Sequence, residues 1–121
     1  MEMFTEAARI VLSIFYIYHG ANHFLSADSL TAYAKKKQVP YPKVAVLASG
    51  AALLAAGLAF LFLFRVVLGG ALAAAFLILA ALLVHRFWTE KDGGERANEM
   101  SHFLKNVALA AATLLSASYL A

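Results

Sequence analysis

Residues 44–84, VAVLASGAALLAAGLAFLFLFRVVLGGALAAAFLILAALLV, decide the fold class. The stretch is apolar for two span lengths and carries one charge, Arg65, near its midpoint. A hydrocarbon core of ~30 Å takes about 20 helical residues per crossing. A single helix would strand an arginine at mid-membrane, where a charge is costly. Two spans are therefore expected, about 43–64 and 66–86, joined by a tight turn around Arg65. Working outward, residues 6–25 form a first apolar span and residues 100–121 a last one. The result is an all-α membrane protein, with four transmembrane helices in an up-down-up-down bundle that makes one domain over 1–121.

Composition agrees. Hydrophobic residues make up 63% of the 121 and charged residues only 14%, with a mean hydropathy of +0.75. Soluble domains carry about 25% charged residues, and a soluble chain this short could not hide so much apolar surface. There is no cysteine, so any redox role needs a bound cofactor or a partner. The net charge is +3, but no basic run is interleaved with aromatics, which excludes nucleic acid as a partner. Glu2 and Glu6 stand where a secretory leader would be basic, so the first span is expected to be retained.

The connections set orientation. Residues 26–43 are polar and hold both prolines, Pro40 and Pro42, with a short interfacial helix expected over 29–37. Residues 85–102 form a charged loop with Gly93 and Gly94 at its tip. These two loops carry seven of the ten Lys and Arg residues and Lys105 follows just beyond the second, leaving only Arg9 and Arg65 on the other side. By the positive-inside rule both long loops are cytoplasmic and both termini outside. Small residues, among them Ser49, Gly50, Gly57, Gly69, Gly70 and Ala73, let helices approach in lipid. Faces of this kind left over after bundling would serve a homodimer.

All four histidines fall at the loop ends of spans. At 100° per residue, Arg9, Ser13, Tyr16, Gly20 and His23 share about 80° of the first helix, with His19 beside them. His102, Asn106, Thr113 and Ser116 share a face of the last helix, with Lys105 at its edge. His85 and Trp88 end the third. The topology brings His23, His85 and His102 toward one another at the cytoplasmic leaflet. They would form an imidazole-rich pocket walled by Tyr16, Asn22, Trp88 and Asn106. Imidazoles relay protons near neutrality, and histidine, asparagine or lysine can hydrogen-bond a quinone-like headgroup that stacks on tryptophan. On this reading His85, His102 and His23 do chemistry, while His19, Asn22, Tyr16, Trp88, Lys105 and Asn106 hold the ligand. Competing readings stand beside it. Trp88 and Tyr41 also fit as interfacial anchors. His19 and His23 have the i, i+4 spacing of a metal pair, but no carboxylate or cysteine of the span joins them, so no metal is expected. Arg9 also fits a structural pairing with Glu6.

The chain resembles the DoxX/DoxD-like family of four-helix membrane proteins. The resemblance rests on Arg9, the His19-Gly20 and Asn22-His23-Phe24 run, the Val39-Pro40-Tyr41-Pro42 loop, Gly57-Leu58 and Arg65. It is completed by His85-Arg86-Phe87-Trp88 and His102-Phe103-Leu104-Lys105-Asn106. It implies a prokaryotic inner-membrane protein, linked in some members to quinone reduction and in others to membrane-bound oxidoreductase complexes. It carries Arg9, Gly20, His85, Trp88, Lys105 and Asn106 onto the family pattern. The family commonly has a glutamate early in its second helix, where this chain has Ser49-Gly50. The leading expectation is a quinone- or redox-linked subunit, an oxidoreductase subunit if it catalyses at all. A non-catalytic scaffold for another oxidoreductase subunit and a small oligomeric transporter are the alternatives.

Overall fold

The structure is a computed structural model describing residues 2–121. It contains five α-helices: α1 (Glu2–Leu25), α2 (Ala27–Lys36), α3 (Pro42–Phe62), α4 (Val66–Leu83) and α5 (Gly93–Leu120). A 3₁₀ turn, Phe87–Thr89, lies between the last two. No strand occurs among the described residues.

Local chemistry explains the breaks. Tyr41 adopts a left-handed backbone (φ 48°), and Pro42 then opens α3, where its missing N–H is no loss. The turn between α3 and α4 is only three residues long. Leu63 and Arg65 both sit at φ 53°, a conformation that costs a non-glycine residue roughly 1–2 kcal/mol. Arg65 thus marks the break, as its isolated charge predicts. The expected short helix between the first two spans is α2. The last helix starts earlier than its apolar run implies. The Asp92 side chain accepts the Glu95 backbone N–H at 3.0 Å, which makes Asp92 the N-cap. Gly93 and Gly94 are then the first residues of α5, not the tip of a loop.

The four long helices pack antiparallel in chain order, α1 on α3, α3 on α4 and α4 on α5. Close approach depends on missing side chains. A Cβ at Gly57 would stand 2.6 Å from Ile17 Cγ1 and 2.8 Å from Ile17 N. One at Gly69 would meet Ala59 Cβ at 2.6 Å, and one at Gly70 would meet Ala117 Cβ at 2.6 Å. The core is correspondingly lean: Tyr16, Leu53 and Leu77 fill the space among Ala56, Ala73, Ala74 and Ala110. At its centre the Tyr16 hydroxyl shares a 2.6 Å hydrogen bond with Thr113 Oγ1, tying α1 to α5.

Much of the outer surface is apolar, with Val11, Ile14, Val67, Leu68, Leu79 and Leu115 all exposed. Contiguous apolar surface on this scale suits lipid rather than water. Three segments are long and apolar enough to cross a membrane: Pro42–Phe62, Val66–Thr89 and Gly93–Leu120. α1 is not among them. Its apolar stretch is diluted by Glu2, Glu6, Arg9 and the polar residues facing α3.

Candidate functional site

The histidine-bearing ends of α1, α4 and α5 lie with the start of α3 and with α2 at one end of the bundle. Between α3 and α4, with α2 across its end, lies a cavity of about 550 Å³. Its origin is a mismatch of stripes. α3 contributes Ala45, Ala48 and Ala52, three small residues one helical turn apart. α4 faces them with Leu72, Phe76, Leu79 and Leu83, and α2 adds Leu30, Tyr33 and Ala34. Alanine, abundant here, therefore leaves space as well as closing it. Only four lining residues have polar side chains: His23, Tyr33, Ser49 and His85. Tyr33 and His85 stand at the α2 end and His23 lies with Ser49 farther in, against Phe76, so two polar patches interrupt a lining that is otherwise hydrocarbon. A second cavity of about 500 Å³ lies farther along α3 and α4 toward Arg65, and Leu72 borders both.

The two cavity histidines are held differently. His23 Nδ1 lies 2.9 Å from Ser49 Oγ and 3.1 Å from the Val46 carbonyl, while its ring edge meets Phe76 at 5.5 Å. Ser49 Oγ itself donates to Val46 O at 3.0 Å. His85 Nδ1 lies 2.8 Å from Glu99 Oε2. A carboxylate only accepts, so this bond is a donation from the ring. The His102 ring stacks on His85 with centroids 5.0 Å apart.

Glu99 is the buried carboxylate of this end. Its Oε1 lies 3.5 Å from Lys37 Nζ, which is also 3.5 Å from Glu90 Oε1. Arg86 Nη2 donates to the Lys37 carbonyl at 2.7 Å. The end of α2 is thereby tied to α4, to the following loop and to α5. Burial pushes the Lys37 ammonium down, but Tyr33, Glu99 and Glu90 outweigh it and hold its pKa above the ordinary lysine value. Burial, followed by Glu99, raises the Tyr33 phenol, so Tyr33 keeps its hydroxyl hydrogen at neutral pH.

Of the three imidazoles expected to converge, His85 and His102 meet. His23 faces the same cavity as His85 but is anchored to α3. The reason is the seating of α1. Gly50 lets α3 pack so closely that a Cβ there would stand 2.7 Å from His23 Cβ. His102 is exposed and outside the lining. The other expected wall residues are also elsewhere. Tyr16 is in the core with Thr113. Asn22 Oδ1 accepts from Ser26 Oγ at 3.0 Å. Trp88 is exposed and meets Phe87 and Phe103 edge-on. Lys105 is exposed and Asn106 half-buried, and neither lines the cavity. His19 packs on Phe15 and Tyr18. Among the described residues no three of His, Cys, Asp and Glu are grouped to hold a metal ion. At the far end, Arg9 pairs with Glu6 at 2.6 Å and donates to the Phe60 and Leu61 carbonyls at 3.0 and 2.7 Å.

Sequence reasoning missed Tyr33, Lys37 and Glu99. For Glu99 a signal existed: Glu99, His102 and Asn106 are spaced three and four apart, one helical face. Starting the last span at residue 100 cut that stripe short.

A family model described as DoxX matches residues 4–86, well over half the chain. The His102–Asn106 segment lies beyond the match. No curated protein and no solved structure matches the chain. With its apolar helices and this match, the chain is a membrane protein belonging to the DoxX family.

Proposed function

We propose that this protein is a four-span inner-membrane subunit that binds a quinone in the α3–α4 cavity, with both termini outside and both long loops cytoplasmic. The observation that carries the reading is the division of that cavity. Two pairs of polar side chains line it, Tyr33 with His85 near the Lys37–Glu99 pair and His23 with Ser49 against Phe76, and the remaining lining is hydrocarbon. A quinone has the same division, a small ring with hydrogen-bonding oxygens and an apolar tail. Pockets of this volume that bind small molecules are mostly apolar with a few placed polar groups. The basic loops at the polar end favour its placement on the cytoplasmic side. α1 joins the spans in this reading because it packs along α3 for most of its length, with Arg9 neutralised by Glu6 and by backbone carbonyls.

The absence of a glutamate at Ser49-Gly50 is offset by Glu99, which brings a carboxylate to the same end from α5. His85, paired with it, is the group best placed to exchange protons with a bound headgroup. Titration of a short-chain benzoquinone into protein reconstituted in lipid nanodiscs tests the proposal. Saturable binding is expected, and binding of the corresponding hydroquinone should weaken roughly tenfold, about 1.4 kcal/mol, in His85→Ala and less in Tyr33→Phe. Binding that does not saturate would leave the scaffold role as the better account.

A further inference from the structure

Both cavity imidazoles turn Nδ1 toward a group that can only accept. For His85 that group is the Glu99 carboxylate, 2.8 Å away. For His23 it is the Val46 carbonyl, 3.1 Å away, and Ser49 Oγ, 2.9 Å from Nδ1, can accept from the ring while donating to that carbonyl at 3.0 Å. In a neutral imidazole one nitrogen carries the hydrogen and the other a lone pair. With Nδ1 carrying the hydrogen in both rings, Nε2 is left with the lone pair in both. The nitrogens available to a ligand are therefore acceptors. A ligand carbonyl finds no donor in either neutral ring, whereas a ligand hydroxyl finds two acceptors.

From this pairing we infer that the cavity selects the hydroxyl-bearing, reduced form of its ligand, a hydroquinone over the quinone, and that Glu99 is the positioning residue that sets this preference. The inference rests on the quinone-type reading of the cavity. Glu99 acts through His85 and does not itself line the cavity. Its surroundings suit the task. Lys37 stands 3.5 Å from its other oxygen, and Glu90 shares that lysine. Tyr33 lies beneath the same ammonium, 5.7 Å from ring centroid to Nζ. His102 stacks on the His85 ring and helps hold its plane, and a flip within that plane would lose the carboxylate bond. A loose carboxylate would let the ring turn and present Nε2–H, the form a carbonyl needs.

Two measurements on the full chain in nanodiscs test this, both at alkaline pH with the rings neutral. The first is the ¹⁵N imidazole spectrum of His85. The Nδ1–H tautomer is expected, shifting toward Nε2–H in Glu99→Gln, whose amide can donate to Nδ1. An Nε2–H tautomer in the wild-type protein overturns the inference even if Glu99→Gln fails to fold. The second is the affinity ratio of a short-chain hydroquinone to its benzoquinone. Hydroquinone is expected to bind roughly 3- to 10-fold more tightly, the range of one or two modest hydrogen bonds. The ratio should fall toward one in Glu99→Gln and recover in part in Glu99→Asp. An equal ratio in wild-type and Glu99→Gln proteins would overturn the role of Glu99 and leave quinone binding standing. If neither form binds the wild-type protein, the quinone reading fails and with it the ligand preference, while the His85 spectrum still decides whether Glu99 sets the tautomer.

Discussion

Gly57 shows how little room the α1–α3 contact leaves. The nearest atoms to an added Cβ include the Ile17 backbone nitrogen at 2.8 Å, which no rotamer change can move. Gly57→Leu should therefore cost about 3 kcal/mol, the upper end of overpacking, read as a lowered midpoint of thermal unfolding in detergent. Gly93 is the control, because nothing lies within 4 Å of its Cβ position. Gly93→Ala should leave the midpoint unchanged or raise it slightly, by less than about 1 kcal/mol. At this scale the sequence was readable where a residue was out of character with its surroundings. Arg65 announced the α3–α4 turn because it was the lone charge in a long apolar run. Glu99 was harder to read for the opposite reason: it stood among Glu90, Asp92 and Glu95, and its spacing to His102 and Asn106 marks a helical face only if the helix begins before residue 100. Only the cap at Asp92, which starts α5 seven residues earlier than the apolar pattern, turns Glu99 inward.

Arg9 is where a single side chain governs a whole element. Helix C-termini leave carbonyls without partners, and in lipid such groups are expensive. The Arg9 guanidinium satisfies two of them, on Phe60 and Leu61, from the neighbouring helix. Arg9→Ala should destabilise the protein by about 2–3 kcal/mol and speed amide exchange around residues 61–64. Arg9→Lys should recover only part of the loss, because an ammonium lacks the planar fork. At the opposite end Lys37 anchors α2. Its pKa is raised in the folded protein, so its contribution is complete below the ordinary lysine value of 10.5 and is lost as pH climbs through the higher folded value. A spin label at the exposed Ala32 should thus stay immobile at neutral pH and gain mobility only above that value. In Lys37→Met it should be mobile throughout. Unchanged label mobility in the variant would show that α2 is held by its apolar contacts alone.

Across the whole molecule, the helical class, the antiparallel order and the histidine-bearing end were legible in the apolar runs and the charged loops between them. The cavity was hidden. α3 and α4 are apolar on every side, so periodicity offers no clue to which face of one meets which face of the other. The space between Ala45, Ala48 and Ala52 and the large residues of α4 depends on that rotation. The convergence of three imidazoles failed for a related reason: the depth at which α1 seats on α3 is set by glycine contacts, and those fix His23 away from the His85–His102 stack. Topology is open to a simple test because the chain has no cysteine of its own. Single cysteines introduced at Glu2 and Ala121 should react with an impermeant maleimide from the same side of the membrane if α1 spans. Labelling from opposite sides would reduce the spans to three.

On the proposed function, the α3–α4 cavity holds a quinone. Photolabelling in nanodiscs with an azidoquinone, followed by peptide mapping, tests it most directly. Adducts are expected within residues 30–34, 45–52 and 72–85, lost when Ala48→Phe fills the cavity from an exposed position. Adducts confined to other faces of the bundle, or labelling of the cavity segments that Ala48→Phe leaves unchanged, would contradict it.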